Sequence, residues 1–162
     1  MKIAVLALVA AAAGLVAPGH RVAAVPTVPC GEHIQHTRFP YGGYRPVLGV
    51  VSAPPAYLQQ IVPTGSRPWT YWRKAGLVVR TGSGTVTVSV PRAWWGRAAI
   101  TWGNTGVVRA LRIRRCPGTG GFAYAGGFSL REPSACVPLT FRAGDRSATV
   151  RFGLGRHCPG SE

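Results

Sequence analysis

Acid–base catalysis needs side chains that can take up and release protons, and this chain carries few of them. A glycosidase, for example, sets two carboxylates across a cleft. The chain has four acidic residues, Glu32, Glu132, Asp145 and Glu162. Asp145 falls in a predicted turn, Glu132 precedes Pro133 in a predicted loop and Glu162 lies on a polar tail, so no poised pair remains. A Ser-His-Asp relay would take its base from His33, His36 or His157, but no serine occupies the sharp strand-to-helix turn that presents a nucleophile. The glycines around Thr119 lack the strand-to-helix setting in which a glycine loop holds phosphate. The chain reads as a non-enzyme, with no catalytic residue and no cofactor.

Sulfur chemistry is better represented. Cys30, Cys116, Cys136 and Cys158 form an even set, and in an exported chain such a set forms disulfides. Among the three possible pairings, Cys136–Cys158 is preferred because these two bracket a predicted hairpin, which leaves Cys30 for Cys116. A metal centre is the competing chemistry: Cys30, Glu32, His33 and His36 lie close together and His157 adjoins Cys158, a mixture that suits zinc or copper. No C-x-x-C pair is present, and oxidation removes the thiolates. No metal is therefore assigned, and Cys30, His33 and His36 are the residues such a site would draw on.

Cations dominate the rest. There are 19 basic residues against 4 acidic ones, a formal charge of +15, and all the basic residues except Lys2 and Lys74 are arginine. A field of that sign attracts anions, although arginine stems also cover apolar surface. The anion-binding candidates are Arg112, Arg114, Arg142 and Arg151, which face outward on predicted strands, with Arg92 and Arg97 forming a more local site beside Trp94 and Trp95. Trp69, Tyr71, Trp72, Trp94, Trp95 and Trp102 crowd into one stretch of chain. An exposed indole beside a cation can stack on a sugar ring or a base, while burial is the simpler role. Trp72 and Trp102 fit inward strand positions. Trp94 and Trp95 sit in the connection PRAWWG, where at least one must stay partly exposed. The expected partner is an anionic surface or polymer, such as a wall polymer, an acidic glycan or an acidic protein, with no specific nucleic-acid recognition. A carbohydrate-binding module using exposed tryptophans is the alternative, and an exported metal-binding protein the third.

The elements that hold these groups follow from the apolar pattern. Residues 3–16 are an unbroken apolar run after Lys2, shorter than the ~20 residues that span a bilayer and suited to the core of a secretory leader. Residues 1–24 read as the leader, residues 25–44 as an irregular arm, and residues 45–162 as one β-sandwich domain, secreted and without a membrane anchor. Beyond Arg45, short apolar runs are broken at intervals by Gly, Pro, Ser or Asn, as in an all-β sandwich or barrel. Strands are expected over 47–52, 69–72, 76–81, 85–90, 98–102, 107–113 and 122–130, the last with a bulge at Gly126-Gly127. Two more strands flank Gly144-Asp145, a two-residue type II′ turn. That turn sets Val137 opposite Phe152, Leu139 opposite Val150 and Phe141 opposite Ala148, with Arg142 and Arg151 on the wet face. The fold class is therefore all-β, an antiparallel sandwich of Ig-like architecture with about seven to nine strands, preceded by a signal-peptide helix and the arm.

The stretches PYGGYRPVLGVVSAPP, YWRKAGLVV, VPRAWWGRAAITWGN, AYAGGFSLR and CVPLTFRAGDRSATVRFGLGRHC resemble small exported proteins of high-GC Gram-positive bacteria over most of residues 30–158. The resemblance implies an exported β-rich domain with disulfides. No activity attaches to that group, so no site residue is carried over.

Overall fold

The computed structural model describes residues 24–160, so the leader expected over residues 1–24 lies, all but Ala24, outside the described residues. The described chain is all-β, with two single-turn 3-10 helices at Cys30–Glu32 and Arg92–Trp94. Its strands, numbered in chain order, form three sheets. The six-stranded sheet runs β1 (Thr27–Val28), β11 (Ala110–Ile113), β9 (Val86–Ser89), β14 (Ala135–Ala143), β15 (Arg146–Leu154) and β5 (Tyr57–Leu58). The five-stranded sheet runs β2 (Gln35–Thr37), β12 (Gly121–Tyr124), β8 (Leu77–Arg80), β4 (Val51–Ala53) and β3 (Arg45–Val47). The four-stranded sheet runs β10 (Ala98–Trp102), β13 (Gly126–Leu130), β7 (Tyr71–Lys74) and β6 (Val62–Pro63). Pairing is antiparallel apart from two short parallel contacts, β1 on β11 and β5 on β15, at opposite edges of the largest sheet.

The β14–β15 hairpin has the clearest local cause. Gly144 alone of the two turn residues has a positive φ, 60°, as the first position of a type II′ turn requires. Val137 pairs with Phe152, Leu139 with Val150 and Phe141 with Ala148, which sends these apolar side chains to the core face and leaves Arg142 and Arg151 exposed.

Elsewhere the chain departs from its apolar pattern. The strand expected over 47–52 is broken by a reversal at Leu48-Gly49, both at positive φ, closed by the Val50 N–H donating to Val47 O at 3.2 Å. The strand expected over 107–113 begins only at Ala110, because Val108 is still bridged to Ile100 while the chain leaves the four-stranded sheet. The segment at 122–130 divides at Ala125, so that β12 and β13 lie in different sheets. The two glycines behind this split permit a change of sheet rather than the expected bulge. β7 and β8 make the same transfer at Ala75-Gly76, and the register of β7 on β13 continues without a slip into that of β8 on β12. One long antiparallel ladder is thus folded across both sheets. The stretch read as an irregular arm contributes β1 and β2 as edge strands, and splitting plus strands of two or three residues raise the strand number to fifteen.

One buried apolar cluster draws on all three sheets, including Val88, Leu111, Phe141 and Phe152 from the first, Leu77 and Tyr124 from the second, and Trp102, Phe128 and Leu130 from the third. Each large side chain so enclosed contributes roughly 1.5–3 kcal/mol before entropy. Trp102 is fully buried and its Nε1–H donates to Ala75 O at 2.8 Å, which satisfies its polar atom at the fold in the ladder. Trp72, read as inward, is only partly buried, because it sits between Ser129 and the exposed edge residue Val62. Two disulfides close the structure, Cys30–Cys116 and Cys136–Cys158.

Candidate functional site

Strand alternation turns Val86, Val88, Leu111, Ile113 and Phe141 inward and sends the residues between them to the outer face of the six-stranded sheet. Register then fixes which of these become neighbours. Thr27 is paired with Arg112, Arg112 with Thr87, Thr87 with Arg142, and Arg142 with Ser147, a single row across five strands. Strands lie ~4.8 Å apart, which puts the backbones at Arg112 and Arg142 about 10 Å from each other. The adjoining row is Ser89, Thr140 and Thr149, with the Thr140 and Thr149 hydroxyls 2.9 Å apart. Arg151 lies on the same face opposite Pro138, and Arg114 is exposed just past the end of β11.

The strands of this sheet contain no acidic residue. Among the described residues the recorded ion pair is Arg97–Glu132, on another part of the molecule. Asp145 lies in the turn joining β14 to β15, but among the described residues it forms no ion pair with Arg112 or Arg142, both of which stay exposed. Such an array attracts phosphate, sulfate or carboxylate oxygens, for which the arginine fork supplies paired donors.

A second cluster is built around the 3-10 turn. Pro91 sets the turn's entry and Trp94 ends it; Trp94 packs against the buried cluster while Trp95 stays exposed. The Arg97 guanidinium lies 4.3 Å from the centroid of the Trp94 ring and 3.3 Å from Glu132 Oε2. Trp95 is 42% exposed. Its ring is approached by Arg109 at 5.4 Å and Arg92 at 5.9 Å, and its Nε1–H donates to Val90 O at 2.9 Å. The Arg109 Nε–H donates to Trp95 O at 3.2 Å. Close by, Arg131 lies 5.7 Å from the Trp69 ring centroid, and its N–H donates to Arg97 O at 3.3 Å. Each cation–aromatic contact of this kind stabilises by ~0.5–1 kcal/mol at an exposed position. The fold thus gathers Arg92, Arg97, Trp94 and Trp95 into one place and keeps them apart from the row holding Arg112 and Arg142. Arg109, Arg131 and Trp69 were not legible as members, since they reach the cluster from other connections of the chain.

The cysteine–histidine cluster of the arm has a different fate. Cys30 Sγ is bonded to Cys116. His33 stacks on Phe122, with centroids 4.0 Å apart, and its Nδ1 lies 2.6 Å from Cys30 O. His36 meets the same ring edge-on and its Nε2 lies 2.5 Å from Thr119 O. A carbonyl can only accept, so each imidazole spends one nitrogen as a donor and its ring on Phe122. Among the described residues no three His, Cys, Asp or Glu side chains gather as metal ligands. Glu32 accepts from the Asn104 N–H at 2.5 Å; burial, and after it the Glu32 charge, push the Tyr124 phenol up to about 12. Burial lowers the pKa of Arg45, whose guanidinium lies 4.9 Å from the Phe152 ring centroid and donates to Arg151 O at 3.0 Å.

Comparison with family models, curated proteins and solved structures returns no match to this chain, so the reading of function rests on the geometry above.

Proposed function

We propose that this protein is a non-enzymatic binding module, exported from the cell, that holds an anionic partner at or beyond the cell envelope through the outer face of its six-stranded sheet. The observation that carries this reading is the row in which Arg112 and Arg142 flank Thr87 on a sheet whose strands hold no acidic residue. The two disulfides support an oxidising location, and no helix among the described residues is long and apolar enough to cross a membrane. The buried cluster shared by all three sheets supports a two-layer sandwich of Ig-like build, with the six-stranded sheet as one layer. Arg114 and Arg151 extend the row toward the two ends of the face.

The test is retention of a sulfated or phosphate-rich polymer across a salt series. Contacts to anionic oxygens release counterions, so affinity falls steeply and linearly on a log–log plot as salt is added. The double variant Arg112→Ser/Arg142→Ser is expected to reduce that slope by about two and to leave folding within about 0.5 kcal/mol of the parent. A flat salt response in the parent protein would sink this assignment. The alternative, sugar stacking on exposed tryptophan, is favoured by one observation, the 42% exposure of Trp95.

A further inference from the structure

We infer that the tryptophan–arginine cluster is a second binding site, separate from the sheet face, and that its ligand is a carboxylate-bearing sugar, a uronic acid unit of an acidic glycan, for which Glu132 acts as an internal stand-in. Three features converge. Arg97 is held over the Trp94 ring at 4.3 Å, which orients the guanidinium plane and strips water from one side of it. Its remaining edge is occupied by a carboxylate, Glu132, through one contact at 3.3 Å between side chains that are 46% and 54% exposed. That is a loose, single-point pairing, where a free carboxylate can form two parallel bonds to the same fork. Two residues back along the chain from Arg97, Trp95 is 42% exposed, with Arg92 and Arg109 over its ring.

An indole left partly uncovered next to planar cations fits a pyranose ring with its apolar C–H face on the aromatic surface and its carboxylate on the guanidinium. A phosphate polymer has no use for the indole. An acidic peptide has no flat apolar face of the same size. Glu132 therefore competes with the ligand for Arg97, and its removal should open the site.

This inference rests on the anion-binding reading only in requiring a negatively charged partner, and its test separates the two sites. Tetragalacturonate titrated against tryptophan fluorescence is expected to give a saturable change, while maltotetraose, neutral and of equal length, gives none. Glu132→Gln is expected to tighten tetragalacturonate binding roughly two- to five-fold, the range by which a surface ion pair of this kind competes. Arg97→Gln should weaken the fluorescence-detected binding on the order of ten-fold, whereas Arg112→Ser/Arg142→Ser, on a sheet whose strands hold no tryptophan to report binding there, should leave the midpoint of the fluorescence titration in place. Thermal melts of each variant, matched to the parent, establish that these exposed substitutions leave the fold intact. Equal binding of maltotetraose, equal binding of a tetraglutamate peptide, or no gain from Glu132→Gln would each overturn the uronate site. Loss of the tryptophan fluorescence titration in Arg112→Ser/Arg142→Ser would do so too, by placing the ligand on the sheet face instead.

Discussion

Tyr124 has its ring in the core, its hydroxyl 3.8 Å from Cys116 Sγ, and Glu32 near enough to disfavour a second negative charge. Burial and that neighbour raise its pKa to about 12, and burial also raises that of Tyr44. Below pH 10 the phenol keeps its proton whether the chain is folded or not, so its contribution to stability is fully present. As pH rises from 10 to about 12, the unfolded chain gives up the proton and the folded chain holds it. Stability therefore falls through that window, by on the order of 2–3 kcal/mol from Tyr124. Urea midpoints recorded at pH 9 and pH 11.5 should show this loss, and Tyr124→Phe should make it visibly smaller. At the same scale the Arg97–Glu132 pair, exposed on both sides, contributes only ~0.2–1 kcal/mol. Breaking it should move the melting temperature little, so any larger effect of Glu132→Gln is to be sought in binding.

The ladder that folds from the four-stranded to the five-stranded sheet depends on glycines at its corner. A Cβ on Gly126 would fall 1.8 Å from Thr101 O, and one on Gly127 would fall 2.0 Å from Arg73 O, both against backbone that cannot yield. Gly126→Ala is expected to cost more than 3 kcal/mol, roughly the scale of a severe core disruption, and to appear as loss of soluble protein or a sharply lowered denaturation midpoint. Gly144→Ala, at a positive φ with open space around it, should cost only ~1 kcal/mol from backbone strain. The β14–β15 hairpin was readable in the chain because nine-residue strands display the two-residue period and a glycine turn pins it. β1, β5 and β6 were not, since two residues cannot show a period. Leu48 hid a reversal because a leucine gives no warning of positive φ, and the valines around it read as one strand. The outward placement of Arg112 and Arg142 followed from alternation, but their alignment across Thr87 is a matter of tertiary pairing that no local pattern encodes. Likewise, the connection holding Trp94 and Trp95 showed its own Arg92 and Arg97, while Arg109 reaches Trp95 and Arg131 reaches Trp69 from connections distant in sequence.

Over the whole molecule, the two disulfides stabilise to different degrees. Cys136–Cys158 closes a loop of 22 residues and Cys30–Cys116 one of 86, which a chain-entropy account converts to about 3 and about 4.5 kcal/mol. Paired Cys→Ser substitutions should lower the urea denaturation midpoint in that order, and reduction of both should approach the sum. The same two spans bear on how the protein is made. The N-terminal edge of the largest sheet, Thr27–Val28, is hydrogen-bonded to Arg112–Ile113 territory, and the bridge beside it joins the same distant halves. In the folding chain that edge is bridged to its partner only across a loop of 86 residues, whereas the tail hairpin carries its own partner and its own bridge. The short tail loop is therefore expected to oxidise ahead of the long one, leaving the N-terminal edge as the seam sewn last, an order that trapping disulfide intermediates during refolding would read.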